Sequence, residues 1–592
     1  MAARTLQRLA NRGLVWAPLL ALVVLLAAPA LSTATLLKGT LWLSFGIVAL
    51  SLALVWGVVG IFSFGQNAFF GIGGYVFAVA AVNIFPGTGE TLTAMALGAG
   101  AAAIFAAILG YVTFYGRVGD VYLAIVTLSV TLILYTVMSS TAGPEYHIGQ
   151  AQLGGFNGMP SVPGVALGSG ELGNRQTFAF AVCLAAALYV LVRFLASGRY
   201  GRILAGLREN ELRMELLGYD VRLHKLIAFV IGGAVAGTGG TLFAAWGTFI
   251  NPAVFSLPQA ALVAIWVMVG GRTSLAGAFV GVAVVQWICD QADKVVAQQT
   301  PLILGVMLVA TVMAFPSGIV PSVSRLISRR RRSAPAEAYS HTTRSDGAPQ
   351  AAARGRLVAQ HLGKRFGGSI VLEDVSLSFG ETGIDAVIGP NGAGKSTLFG
   401  LLTGRHAATQ GRIELNGRDI TRLPVFRRAR AGLGIKLQVP GIFLGLTVRE
   451  NIALAAMAPR AHGGAGYASA ILGATSLSAK MDTPASALSH GEQQWLEIAM
   501  VVAQNPSVML LDEPAAGMTR DERHHTVELI RSLSTQRTVV VVEHDMDFIR
   551  ALGAPVAMLH RGVVFRQGEF AALSNDPEVR DAYLGRRRHA GN

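Results

Sequence analysis

Eight residues from Gly389 to Ser396 read Gly-Pro-Asn-Gly-Ala-Gly-Lys-Ser, and Thr397 follows. Glycines in such a run let the backbone turn tightly, so that its N–H groups face oxyanions. Lys395 brings a mobile positive charge to outer phosphates, and Ser396 offers a hydroxyl to Mg²⁺. Gly389, Pro390, Asn391, Gly392, Ala393, Gly394, Lys395, Ser396 and Thr397 are therefore the candidate phosphate cradle. Further on, Asp512 and Glu513 stand together after an apolar run. A first carboxylate suits Mg²⁺ ligation, and a second beside it suits polarising an attacking water. His544 follows another apolar run and can reach a terminal phosphate, while Gln438 can sense Mg²⁺ or the water. Phe366, upstream, is an aromatic that can stack on a base.

These groups need elements that bring them to one place. Ile384–Ile388 reads as a buried strand, and Thr397–Leu402 as the start of a helix. Val508–Glu513, ending in its two carboxylates, and Thr538–Val542 read as two more strands, each delivering polar residues to its C-terminal end. Leu488, Ser489, His490, Gly491, Glu492 and Gln493 open an expected helix that continues over Gln494 to Val502. Ser489 is its expected N-cap, with hydroxyl and N–H groups available to an anion.

The order of phosphate loop, Gln438, Ser489-x-Gly491, Asp512-Glu513 and His544 resembles an ABC transporter ATPase, over about residues 355–590. The resemblance implies ATP and Mg²⁺, with Ser396, Gln438 and Asp512 as metal ligands. It also implies a dimer of ATPase domains, each signature segment completing the site of the other. Three residues depart from the common pattern: His490 and Glu492 in the signature, and Thr519 where an Asp is usual. None is a bond-breaking group, so hydrolysis is still expected.

The chain has 592 residues, more than one hydrophobic core serves, so several domains are expected. Only 14% of the residues are charged, yet the net charge is +14. The charges are sparse before about residue 326, where ten apolar runs lie at roughly 15–31, 37–61, 66–86, 92–115, 120–140, 177–195, 226–248, 255–271, 273–290 and 301–317. A span needs ~20 apolar residues, so the shorter runs are read as tilted or re-entrant. With the N-terminus inside, Arg117, the 198–225 loop, Arg272 and Arg329–Arg332 all fall on one side. The 141–176 loop, with Glu145 and Glu171, falls on the other. This is the positive-inside distribution, so the excess of basic residues calls for a membrane and not for nucleic acid. Both termini and the ATPase are then expected in the cytoplasm. Two cysteines, Cys183 and Cys289, suggest neither a disulfide framework nor a metal site.

The expected fold is an N-terminal polytopic α-helical membrane domain (1–325), a flexible basic linker (326–354) and a C-terminal α/β phosphate-loop ATPase domain with a helical subdomain (355–592). Gln66 and Asn67, polar residues in an apolar run, are translocation candidates. The mixed-charge 198–225 loop reads as one short helix outside the bilayer, with Glu211, Leu217 and Gly218 as coupling candidates.

The membrane half narrows the resemblance. Ser63-Phe-Gly65-Gln66-Asn-Ala-Phe69-Phe70, Gly119-Asp120-Val-Tyr122, Gly154-Gly155-Phe156-Asn157-Gly158, Leu217-Gly218-Tyr219-Asp220, Asn251-Pro252 and Val269-Gly270-Gly271 resemble the second-type permease of branched-chain amino-acid importers. The C-terminal Ala582-Tyr583-Leu584-Gly585 is similar to the ATPase of that system, whereas Leu488-Ser-His490-Gly and Asp512 to Thr519 look closer to urea importers of the same family. The substrate class therefore stays open between hydrophobic amino acids and urea or short amides. The resemblance implies an extracytoplasmic binding protein, and a second permease and ATPase or a second copy of this chain. An exporter is the first alternative, since a membrane half followed by an ATPase half is a common exporter order. Such exporters usually have six spans with long cytoplasmic helices, unlike the pattern here. A non-transporting, ATP-driven membrane regulator is the other.

Overall fold

A computed structural model describes residues 16–168, 170–295, 300–329, 354–459 and 464–584. The chain divides into two compact units. The first comprises Met1–Arg208 and Arg222–Glu337; the second comprises Ala338–Asn592 together with an excursion from the membrane half, Glu209–Val221.

The first unit is helical. Among the described residues, seven helices are long and apolar enough to cross a membrane. They are α2 (Thr33–Val58), α3 (Gly65–Thr88), α4 (Leu92–Tyr115), α5 (Asp120–Ser139), α6 (Asn174–Ser197), α9 (Val221–Gly247) and α11 (Leu275–Val295). Three shorter apolar helices, α1 (Trp16–Ala30), α10 (Leu257–Gly270) and α12 (Thr300–Ala314), account for the remaining expected runs. The expected span at 255–271 is shorter than it reads. Pro252–Phe255 forms a 3₁₀ turn, and the helix starts only after Ser256, whose hydroxyl accepts the Gln259 N–H. Its 14 residues rise only ~21 Å, short of a ~30 Å hydrocarbon core.

Small residues set the packing of α3 against α9. A methyl on Gly73 would lie 2.3 Å from the carbonyl oxygen of Gly237, and one on Gly240 would lie 1.8 Å from that of Phe70. Only glycine permits these backbones to approach so closely. The 141–176 connection holds a two-residue antiparallel ladder, β1 (His147–Ile148) with β2 (Ala151–Gln152). The expected linker starts late: Leu326–Arg329 continue helix α13 (Ile319–Arg329), because no proline or glycine stops that helix. The rest of the expected linker, apart from Arg354, lies outside the described residues. The 198–225 loop forms two helices and not one, α7 (Arg199–Glu209) and α8 (Glu211–Leu216). Asn210 separates them, its extended backbone and side chain capping α8 through the Arg213 N–H.

The second unit is built on two sheets. β3 (Leu357–Phe366), β4 (Ser369–Phe379), β6 (Gln410–Leu415) and β7 (Arg418–Asp419) form an antiparallel sheet in the order β4-β3-β6-β7. β5 (Ile384–Ile388), β8 (Leu433–Lys436), β9 (Val508–Asp512), β10 (Thr538–Val542), β11 (Pro555–His560) and β12 (Val563–Glu569) form the other, ordered β12-β11-β5-β10-β9-β8. Its pairs are parallel except for β11 with β12. Runs such as Val539–Val541 are buried on both faces, as parallel strands between layers must be. One apolar core, including Leu357, Val387, Leu398, Leu510 and Val540, joins the sheets to the helix α14 (Lys395–Thr403). Leu216 of the excursion belongs to that core, and Leu212 packs against it. Helices α15 (Val425–Ala431), α16 (Val448–Ala456), α17 (Gly464–Ala474), α18 (His490–Ala503), α19 (Arg520–Ser534), α20 (Met546–Leu552), α21 (Phe570–Asn575) and α22 (Pro577–Leu584) complete the unit.

Candidate functional site

Four adjacent parallel strands end at one edge of the large sheet. β5 leads into the Gly389–Ser396 loop, β10 into Glu543-His544, β9 into Glu513 and β8 into Gln438. The register places Val542 opposite Asp512 and Val387, so these ends are level. That edge is where an open parallel sheet presents ligand-binding loops.

In the loop, Gly392 (φ +80°) and Gly394 (φ +101°) are left-handed, and α14 starts at Lys395. Asn391, Gly392 and Ser396 are exposed, while Ala393 is buried beneath them. The Lys395 ammonium donates to the carbonyls of Gly389 (2.5 Å) and Pro390 (3.1 Å). Burial lowers its pKa, and the charges of Glu513 and Asp512 oppose that shift. A cation at the head of a helix, beside exposed loop residues, fits a polyphosphate.

The sequence-named groups converge on Glu513. Gln438 Nε2 donates to Glu513 Oε2 at 2.9 Å, and His544 Nδ1 lies 3.3 Å from Glu513 Oε1. Glu513 itself has φ +42°, a sparsely populated conformation for a residue with a Cβ. Its N–H donates to the Val542 carbonyl at 2.9 Å, which anchors the turn. Burial and the neighbouring Glu513 charge push the Asp512 carboxyl up to about 6. Among the described residues no group of three or more His, Cys, Asp or Glu could by itself hold a metal. The oxygen donors of Ser396, Asp512 and Gln438 nevertheless fit Mg²⁺, which keeps several water or phosphate ligands.

Helix α18 begins at His490 with Ser489 as its N-cap, as expected, and Ser489 and Glu492 also form a capping box. The Ser489 hydroxyl accepts the Glu492 N–H (3.2 Å), so its oxygen serves the cap. Glu492 is buried and receives Lys480 Nζ at 2.7 and 2.9 Å and Ser476 Oγ at 2.6 Å. Burial raises its pKa, but the bonds from Lys480, Ser476 and the Ser489 N–H outweigh it and leave the carboxyl below its ordinary value. Gln493 donates to the Ala485 and Leu488 carbonyls. His490 rests on Gly517, where an added methyl would lie 2.7 Å from its ring. Thr519 caps α19 by accepting the Glu522 N–H, the service an Asp would also give there. Phe366 ends β3, half exposed, with Lys364 Nζ 4.7 Å from its ring centre and His406 edge-on.

Of the coupling candidates, Leu217 and Gly218 are buried and Glu211 is exposed. The Gly218 carbonyl accepts Arg430 Nε at 2.7 Å. The strongest link of the excursion was not named from sequence. Arg213 pairs with Glu497 of α18 at 3.2 Å, both side chains fully buried. Its signal was a lone acid, Glu497, inside the apolar run of α18. A second missed residue is Lys436, fully buried under Asp512 and Glu513, a lysine closing an otherwise apolar strand. In the helical unit, Gln66 and Asn67 are buried, with Gln66 Oε1 accepting Ser51 Oγ (2.6 Å) and Asn67 Nδ2 donating to Val254 O (2.5 Å).

Residues 35–314 match the family described as the permease component of the branched-chain amino acid transport system, and residues 372–516 match the ABC transporter family. A probable ABC transporter ATP-binding protein of Azorhizobium caulinodans is 38% identical over 238 residues, covering 40% of this chain and 85% of that protein. The chain belongs to the ABC transporter family. It is a permease and an ATPase of the branched-chain amino-acid type fused in one polypeptide, an ATP hydrolase coupled to transport. A high-affinity branched-chain amino acid transport ATP-binding protein of Pseudomonas aeruginosa, BraF, is 32% identical over 240 residues, covering 37% of this chain and 94% of that protein. A nucleotide-free ATP-binding cassette of solved structure is 25% identical, covers 39% of this chain and 100% of its own, and has a TM-score of 0.36.

Proposed function

We propose that this ABC transporter chain imports branched-chain or other hydrophobic amino acids across the cytoplasmic membrane, with its ATPase domain and both termini in the cytoplasm. The match of residues 35–314 to the branched-chain amino acid permease family carries the reading. In this reading the permease domain runs to the end of α13 at Arg329, and the ATPase domain spans 355–592.

In the ATPase, Gly389 to Thr397 hold the ATP phosphates through backbone N–H groups and Lys395, and Phe366 stacks on adenine. Ser396, Gln438 and Asp512 hold Mg²⁺, which supplies charge neutralisation at the phosphates. Glu513 orients the attacking water and takes its proton. Its contacts with Gln438 and His544 favour that role, since they hold both carboxylate oxygens in place. His544 contacts the terminal phosphate. Leu488 to Gln493 complete the site of a second ATPase domain. The 209–221 excursion transmits the ATPase cycle to the spans, and Gln66 and Asn67 lie on the substrate's route. An extracytoplasmic binding protein delivers the substrate, and a second permease and ATPase, or a second copy, completes the assembly.

The second reading, import of urea or a short amide, is favoured by Leu488-Ser-His490-Gly and the Asp512–Thr519 segment. Reconstituted uptake decides. The purified assembly in proteoliposomes, supplied with binding protein, should accumulate labelled leucine when ATP is present. Accumulation of urea alone selects the second reading, and outward movement or no movement of either overturns import.

A further inference from the structure

Lys436 ends β8, two residues before Gln438, and no part of it is exposed. Its ammonium donates to three main-chain carbonyls, Leu437 (2.9 Å), Asp512 (3.1 Å) and Glu513 (3.4 Å). Burial disfavours the charged ammonium, the carboxylates of Glu497, Asp512, Glu543 and Glu513 oppose that penalty, and the three carbonyls fix where the ammonium sits. Here the three carbonyls join two segments. One is the peptide directly before Gln438; the other is the turn that holds Glu513 at φ +42°. Those segments carry the two side chains that meet at 2.9 Å, Gln438 Nε2 and Glu513 Oε2. The same residue, Leu437, is held from its other side, because its N–H donates to Glu497 Oε1 at 3.3 Å. Glu497 is in turn paired with Arg213. A continuous line of polar contacts, fully buried at its Arg213–Glu497 end, therefore runs through Leu437 and Lys436 to the main chain of Asp512 and Glu513.

We propose that Lys436 is a positioning residue for ATP hydrolysis, which clamps the strained Glu513 turn to the root of the Gln438 segment and so sets the distance between the two side chains. It touches neither ATP nor Mg²⁺ in this role. The apolar side chain of methionine fills nearly the same space without the three bonds, but it also removes the ammonium's attraction for Glu497, Asp512, Glu543 and Glu513; glutamine removes that attraction equally while keeping N–H donors, so the difference between the two variants isolates the clamp.

The inference rests on the reading of Glu513 and Gln438 as hydrolytic residues, and the test separates the two. Wild type, Lys436→Met, Lys436→Gln, Gln438→Ala, Glu513→Gln and the double variant Lys436→Met/Gln438→Ala are purified as full assemblies. ATP turnover, KM, affinity for a fluorescent ATP analogue and thermal unfolding are measured for each. The clamp predicts that Lys436→Met loses about tenfold or more in kcat, as a small misplacement of a reacting group does, with analogue affinity and unfolding midpoint nearly unchanged. Lys436→Gln, which keeps N–H donors, should recover part of that rate. The loss should shrink in the Gln438→Ala background, because the distance being set no longer matters there. Turnover of Lys436→Met within twofold of wild type overturns the proposal. So does full additivity with Gln438→Ala, or failure of Lys436→Met to fold, which would assign the lysine to stability alone. Undiminished turnover by Glu513→Gln would instead overturn the underlying reading of the site.

Discussion

Arg213 and Glu497 lie 284 residues apart in sequence and form an ion pair at 3.2 Å with no exposure of either side chain. The guanidinium also donates to the Ile435 carbonyl at 3.0 Å. Breaking a buried pair from one side leaves an uncompensated charge, which costs about 3–5 kcal/mol. Arg213→Ala should therefore lower the unfolding midpoint of the ATPase unit sharply, and Arg213→Met with Glu497→Gln should recover much of the loss. A melting curve for Arg213→Ala within a degree or two of wild type would mean that the pair contributes nothing.

Glu513→Gln should retain ATP and hydrolyse little of it. The amide still accepts and donates hydrogen bonds beside Gln438 and His544, but it cannot take a proton from water. The check is bound nucleotide after gel filtration together with phosphate release. Turnover near wild type removes Glu513 from the proton-transfer role.

Much of the ATPase was legible because its chemistry is local. The strands at 384–388 and 538–542 match β5 and β10 end for end, since continuous apolar runs followed by polar residues leave little ambiguity. Ser489 was legible as the cap of α18, because a serine before a helical run with an acid three residues on is a local signal. The cap at Asn210, which splits one expected helix into two, was not read. Arg213 and Lys436 were hidden for a different reason. Their partners are distant acids and backbone carbonyls, and neither leaves a spacing pattern in the chain.

Asp512 should give Mg²⁺-dependent nucleotide binding a pH limit. Its carboxyl is pushed up to about 6, first by burial and then by the adjacent Glu513 charge. A raised pKa means that the folded protein holds the proton below about pH 6, and the proton competes with the cation there. Mg²⁺ affinity should be constant above that value and fall about tenfold per pH unit beneath it. Glu513→Gln removes one of the charges responsible, so the break should move to lower pH. Mg²⁺ titrations of nucleotide binding across this range test both statements, and a flat profile contradicts them.

Ser161, exposed within the 141–176 connection, should face the outside. A cysteine placed there should react with an impermeant maleimide in intact cells, because the proposed topology puts the basic loops on the opposite, cytoplasmic side. Labelling only after lysis would invert the proposed topology.

The excursion at 209–221 offers the sharpest test of coupling, because its residues differ so much in burial. Leu216 and Leu217 are 0% and 2% exposed, and the Tyr219 hydroxyl reaches the Leu454 carbonyl at 3.4 Å, whereas Glu211 is exposed. Burying a leucine contributes about 1.5–3 kcal/mol, and an exposed ion pair only about 0–1 kcal/mol. The buried leucine should therefore carry the link and the exposed acid should not. Leu217→Ala should leave ATP hydrolysis measurable but reduce the substrate imported per ATP severalfold. Glu211→Ala should change that ratio little, and the double variant should behave like Leu217→Ala alone. The ratio is read directly from uptake and phosphate release in the same proteoliposomes. An unchanged ratio in the double variant would mean that this excursion packs against the ATPase without transmitting its cycle.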